Sequence, residues 1–233
     1  MRTVIITGAS SGIGLETTKR LLNRGDHVIG IARDCRKASL NSSNFIPVPL
    51  DLSDLPALPD TFSKINRNYP EISGIIACAG KGNFGNIEEF SYAQISDLMN
   101  LNFTSHCFLV RAFMPHFKQL DRSDIILIGS EAALTGGAKG AVYSASKFAL
   151  RGFAQSLRKE CAKSTVKITL INPGMVKTPF FNTLSFAPGT EAENYIEAAD
   201  VAEVILSVLD LRPGTVMDEI NLSPLKKVIR KNK

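Results

Sequence analysis

TVIITGASSGIG, residues 3–14, sets an apolar β-branched run directly against a glycine-rich one. Thr3 to Thr7 reads as a buried strand. From Gly12 the pattern turns helical and runs to about Arg24, where Gly25 suits a C-terminal cap. Between the two, the glycines permit a tight turn, let the backbone approach a ligand and let the helix sit close to the strand. The helix N-terminus then offers unpaired N–H groups and a partial positive charge to a pyrophosphate. The glycine spacing is GxxxGxG, not GxGxxG. Glycine and serine also make ordinary loops, so the argument rests on the strand before and the helix after.

Outward from this turn, short β-rich segments alternate with longer helical ones. His27 to Ala32 makes a second strand, Phe45 to Leu50 a third interrupted by Pro47 and Pro49, and Ile72 to Ala77 a fourth. Two long helices follow, about Ser91 to His116 with room for a break, and Tyr143 to Lys163. Asp124 to Ile128 lies between them as a strand, and Val166 to Ile171 and Thr215 to Leu222 complete the sheet. Such alternation favours an α/β fold, a doubly wound parallel sheet of about seven strands with helices on both faces. No repeat or linker divides it. Residues 1–224 read as one domain and 225–233 as a basic tail.

Composition excludes several classes. The 233 residues are 44% hydrophobic and 21% charged, and no apolar run approaches a bilayer span of roughly 20 residues. MRTVIITGAS leads straight into a turn and lacks a secretory signal, so a cytoplasmic protein is the simplest reading. Cys35, Cys78, Cys107 and Cys161 are scattered, which argues for free thiols and against a metal site. The net charge of +5 sits in the tail, in Lys226, Lys227, Arg230, Lys231 and Lys233, which leaves the rest formally neutral. A solvated terminus is the ordinary outcome, and a nucleic-acid partner is not indicated.

TGASSGIG resembles the fingerprint of the short-chain dehydrogenase/reductase family in its compact single-domain branch, and the likeness runs from Thr3 to about Pro224. The resemblance implies a Rossmann-like fold in which Gly8, Ser10, Ser11, Gly12 and Ile13 line the pyrophosphate and adenosine ribose of a dinucleotide. At the end of the second strand, an acidic residue would hydrogen-bond both ribose hydroxyls and repel a 2′-phosphate. Ala32 stands there instead, followed by Arg33, whose guanidinium can pair with that phosphate. This favours NADP over NAD. The alternative is a solvated arginine, with Asp34 competing for its charge. Asp51 and Leu52 resemble the family's adenine-binding pair. Ala79 and Gly80 match its Asn-Asn-Ala-Gly turn, although Ala77 and Cys78 replace both asparagines.

Tyr143 and Lys147 lie four residues apart, on one face of a helix. A free phenol has a pKa of about 10, and a nearby ammonium and a positively charged oxidised nicotinamide would both favour phenolate. The Tyr-x-x-x-Lys spacing alone arises by chance on many helices. Within the resemblance, Tyr143 donates a proton to a carbonyl oxygen as hydride reaches the carbon, and Ser130 holds that oxygen. Asn102, rather than nearby Asn100, is the fourth member, maintaining a water-linked proton path to the lysine. Asn172 to Thr178 looks like the family's PGxxxT segment. There the Val176 backbone holds the nicotinamide carboxamide, and Thr178 reaches the carboxamide or phosphate. Transfer of the pro-S hydrogen is implied.

Beyond Thr178, Pro179 to Tyr195 reads as a mobile flap. Phe180, Phe181, Leu184 and Phe186 form either an apolar lid or ordinary core packing. Glu131, Leu134 and Ala138 are candidates for the pocket border. The family's subunits often pair through the helices holding Asn102 and Tyr143, so a homodimer or homotetramer is implied. The substrate is a small carbonyl or alcohol. Alternatives are a 3-oxoacyl-carrier reductase and, in a different class, a non-catalytic NADP(H)-binding sensor.

Overall fold

The structure, a computed structural model, describes residues 1–232; Lys233, the last of the five tail cations, lies outside the described residues. Chain order begins β1 (Thr3–Thr7), α1 (Gly12–Asn23), β2 (His27–Ala32), β3 (Phe45–Pro49), α2 (Leu58–Asn68) and β4 (Ile72–Ala77). It continues through α3 (Tyr92–Met99), a π-helical turn (Asn100–Thr104), α4 (Ser105–Phe117), β5 (Ser123–Ile128), α5 (Ala141–Glu160) and β6 (Val166–Pro173). Then come β7 (Val176–Lys177), β8 (Phe186–Pro188), β9 (Ile196–Glu197), α6 (Ala198–Asp210), β10 (Glu219–Leu222) and β11 (Ile229–Lys231).

Seven strands make one sheet in the order β10-β6-β5-β4-β1-β2-β3, every pairing parallel. The chain winds one way from β1 and the other way from β4. Strand order therefore reverses between them, and doubly wound sheets bind ligands beyond the strand ends at that point. Successive side chains alternate faces. Ile5 packs with Phe62, Phe113 and Leu150 of α2, α4 and α5, while Val4 and Ile6 pack with Leu21 of α1 and Val201 and Ile205 of α6. Burial on both faces explains why these strands read as unbroken apolar runs.

Two helices, α2 and α6, complete the two helical layers beside those read from the sequence. In α2, Leu58, Phe62 and Ile65 form the buried stripe, in a stretch dense with prolines. In α6, Val201, Ala202, Ile205, Val208 and Leu209 do the same, behind a capping box of Glu197 and Asp200. The long helix over 91–116 is divided by the π-helical turn into α3 and α4. The last sheet strand is shorter than the sequence suggests. Thr215 N–H turns back to the Arg212 carbonyl, and pairing with β6 begins only at Glu219.

Pro47 and Pro49 fit because β3 is a sheet edge. Val28 N–H donates to the Asn44 carbonyl and Leu50 N–H to the Ala32 carbonyl, so even-numbered positions face β2 and the prolines face outward. At the other end of the chain, the basic tail keeps its side chains exposed from Leu225 to Lys231, as expected of a solvated terminus, but its backbone is ordered. There β11 pairs antiparallel with β8. Among the described residues no helix is long and apolar enough to cross a membrane.

Candidate active site and dinucleotide crevice

The turn after β1 is built for close approach. Gly8 and Gly12 adopt φ of +69° and +52°, a region that side chains disfavour. A Cβ on Gly14 would stand 2.4 Å from the Gly8 carbonyl oxygen, so only glycine lets α1 seat against the turn. Ser11 is the α1 N-cap yet makes no side-chain capping bond. The N–H groups of that helix end remain available to an acceptor. Thr7 adds a tie not singled out in the sequence: its Oγ1 accepts the Ala79 N–H at 3.0 Å, joining the first turn to the one after β4.

One cavity along β1, β2 and β4 gathers Gly8, Ser10, Ser11 and Arg33 with Asp51, Leu52, Ala79 and Gly80. Arg33 is exposed at the end of β2. Asp34 does not take its charge. That carboxylate accepts the Arg36 backbone N–H and pairs with the Arg36 guanidinium at 3.0 Å. Asp51 accepts both the N–H and the hydroxyl of Ser53 on one oxygen, and these bonds lower its pKa.

A second cavity brings together Ser130, Tyr143 and Lys147 with Ile13, Val176 and Thr178. All three chemistry-bearing residues are nearly sealed, with exposures of 9%, 8% and 5% for Ser130, Tyr143 and Lys147. Ser130 follows β5 by two residues and caps the 3₁₀ turn that comes next, its Oγ accepting the Ala132 N–H at 3.1 Å. Lys147 Nζ donates to the Ile128 carbonyl at 3.0 Å and lies 5.9 Å from the centre of the Tyr143 ring. Burial pushes the phenol up to about 12; the Ser130 hydroxyl pulls it down and the Glu131 carboxylate adds to the rise. Burial also pulls the Lys147 ammonium down to about 8. Without a further positive charge, desolvation of the phenol therefore outweighs the hydrogen bond from Ser130.

Asn102 is fully buried but is not on the cavity wall. Its Oδ1 accepts the Lys81 N–H at 2.9 Å, and its Nδ2 donates to the Lys81 carbonyl and to Ser146 Oγ. Ser146 in turn donates to the Tyr143 carbonyl at 2.7 Å. The amide thus holds the Gly80–Lys81 backbone and the first turn of α5 in one frame. One turn further along, His106 Nε2 reaches the Ala79 carbonyl at 3.0 Å. Burial drives this imidazole down to about 3, so it is neutral and donates. The i, i+4 spacing from Asn102 is the only trace of His106 in the sequence.

The cavity border differs from the one read in the sequence. Glu131, Leu134 and Ala138 do not line it; Phe180 and Phe181 do. Phe84, from the glycine-rich turn after β4, lies 5.1 Å from the Tyr143 ring, and Phe186 stands edge-on to Phe84 at 4.9 Å. Phe84 and Phe180 pack with Leu98, Val142 and Tyr143 in a cluster separate from the two main cores. Phe180 and, through Phe84, Phe186 therefore stand against the Tyr143 ring, and Leu184 takes no part in lining the cavity. Cys35, Cys78, Cys107 and Cys161 are all free, and among the described residues no group of three His, Cys, Asp or Glu gathers.

Comparison with known proteins identifies the family. The family profile described as short chain dehydrogenase matches residues 2–187. A probable short-chain type dehydrogenase/reductase, VdlC of Helicobacter pylori, is 34% identical over 180 residues, covering 77% of this chain and 66% of that protein. An NADP-dependent 3-hydroxy acid dehydrogenase of Schizosaccharomyces pombe is 27% identical over 96% of this chain and 92% of its own. Among solved structures, a metagenomic short-chain oxidoreductase in complex with NADP superposes with a TM-score of 0.80 at 27% identity, covering 96% of both chains. The closed form of a serine dehydrogenase complexed with NADP+ gives 0.84 at 23% identity over 94% of each chain, a likeness of fold alone. With the matched region covering most of the chain, including the glycine turn and the Tyr143–Lys147 helix, this protein belongs to the short-chain dehydrogenase family.

Proposed function

We propose that this protein is an NADP(H)-dependent oxidoreductase that interconverts a carbonyl and a secondary alcohol, with Tyr143 as general acid and base. The observation that carries the reading is the convergence of Tyr143, Lys147 and Ser130 on one cavity with Ile13, Val176 and Thr178. The residues fit a dinucleotide. An uncapped α1 N-terminus suits a pyrophosphate, and the Gly8 and Gly14 contacts leave room for backbone only. Ala32 and Arg33 at the end of β2 favour a 2′-phosphate, in keeping with the NADP named for the fission-yeast relative and the metagenomic enzyme.

NADP(H), when bound, supplies or accepts the hydride. The protein's own groups handle the oxygen. In reduction, Ser130 Oγ holds the substrate oxygen while Tyr143 gives up its phenolic proton to it; in oxidation the phenolate takes that proton back. The Lys147 ammonium steadies the phenolate by charge. Asn102 and Ser146 hold the backbone that frames both side chains. The aromatic cover of Phe84, Phe180 and Phe181 keeps water from the reacting atoms.

The test is a screen of ketones, diketones, hydroxy acids and acyl thioesters with NADPH and NADH in parallel, followed by absorbance of the reduced nicotinamide. Turnover faster with NADPH is expected. On the best substrate, Tyr143→Phe lowers kcat on the order of 10²–10⁴-fold and leaves NADPH affinity within a few-fold by fluorescence titration. Undiminished turnover in that variant removes Tyr143 from the mechanism.

A further inference from the structure

The tail that the sequence marks as merely basic is tied to the substrate-side flap along its length. In the β11–β8 pairing, Ile229 stands opposite Pro188, Arg230 opposite Ala187 and Lys231 opposite Phe186. Gly189 N–H donates to the Val228 carbonyl at 2.8 Å, and Asn232 N–H to the Ser185 carbonyl at 2.9 Å. The Asn232 side chain does more. Its Nδ2 faces the carbonyls of Phe181, Leu184 and Phe186 at 3.2, 2.8 and 3.3 Å. An amide carries two N–H donors, so these three acceptors share them, and one side chain gathers both ends of the bend between the flap's 3₁₀ turn and β8. Upstream, Lys227 pairs with Glu131 at 2.7 Å, and Lys226 pairs with Glu193.

What the flap covers gives these ties their meaning. Phe181 and Phe186, on either side of the Asn232 contacts, pack against each other, and Phe186 abuts the Phe84 ring over Tyr143. The cavity beneath measures about 100 Å³, below the roughly 300–1,000 Å³ of ordinary ligand sites. The position of the flap therefore bears on how much room a substrate finds.

We propose that β11 is a latch for this flap and that Asn232 is its positioning residue, holding Phe181 and Phe186 over the Tyr143 site and so governing how tightly substrate is retained. The latch rests on the reading of that site as a carbonyl–alcohol centre. Asn232 touches neither substrate nor cofactor in this scheme; it acts through the flap backbone. Ion pairing of Lys227 to Glu131, next to Ser130, couples the same tail to the other wall of the site.

The experiment compares wild type, Asn232→Ala and Asn232→Asp by amide hydrogen exchange, and then by steady-state kinetics with NADPH and the best carbonyl substrate. Aspartate keeps the shape and replaces donors by acceptors facing carbonyls, so a latch must fail in both variants, whereas mere filling of space would survive in Asn232→Asp. Exchange at residues 185–189 should quicken on the order of tenfold in both, with β1, β4 and β5 unchanged. KM should rise about fivefold while kcat stays within about twofold, the pattern of binding lost equally from ground and transition states. Flap exchange in Asn232→Asp equal to wild type overturns the latch, as does a KM unchanged in both variants. If no carbonyl compound is turned over by any form, the exchange result alone decides the latch, and the reductase reading falls separately.

Discussion

Burial pushes the Tyr143 phenol up to about 12, so at neutral pH it carries its proton. A group poised in this way serves the two directions of reaction unequally. Reduction finds the proton in place at every pH below that value, so its kcat/KM should be flat or fall gently from pH 6 to 8. In the proposed reaction oxidation needs the phenolate, the minor form at neutral pH while burial holds the pKa up, so its kcat/KM should rise with pH over the same range. The sign follows from the raised value: the favoured form is the acid, and it is lost only as pH rises. Measured profiles for a ketone and its alcohol check this, and an oxidation rate indifferent to pH would remove Tyr143 as the exchanging group. Tyr143, Lys147 and Ser130 were singled out in the sequence by the family resemblance, since the helical spacing of Tyr143 and Lys147 alone is common to many helices. His106 and Phe84 were not, since their roles depend on contacts between segments that spacing does not encode. Asn102 was legible as a residue, but its bonds to Lys81 and Ser146 appear only in three dimensions.

The packing of α1 on the turn after β1 admits no side chain. Gly14→Ala would drive a Cβ to within 2.4 Å of the Gly8 carbonyl, and backbone there cannot swing aside as a side chain would. We expect a cost of about 1–3 kcal/mol, seen as a lower thermal midpoint, together with a fall of tenfold or more in NADPH affinity as the helix end shifts from the turn. An unaltered midpoint and affinity would mean the turn is not the cradle. Elements were legible to differing degrees, for physical reasons. β1, β2 and β4 are buried on both faces and read as apolar runs. α2 escaped notice because Pro56 and Pro59 stand at the start of its stripe, where proline is harmless to a helix. The end of α3 was foreseen only as a break, since nothing in NLNFT distinguishes a π turn from an α turn.

Taken whole, the molecule is two half-sheets joined at β1 and β4, and both cavities lie where those halves meet. A ligand spanning them stabilises the fold as a unit. NADPH at about 100 times its Kd should add roughly 2.7 kcal/mol. For a chain of this length that raises the thermal midpoint by about 5–11 °C, and NADH at equal concentration should give a smaller shift. Differential scanning fluorimetry reads both, and equal shifts would deny Arg33 its role. The outer border of β3 carries a consequence of another kind. Its outward positions include Pro47 and Pro49, which have no N–H to offer a visiting strand. A visiting strand would find two donors missing there, which disfavours a continuous intermolecular sheet on that border and guards the protein against strand-to-strand clumping at high concentration.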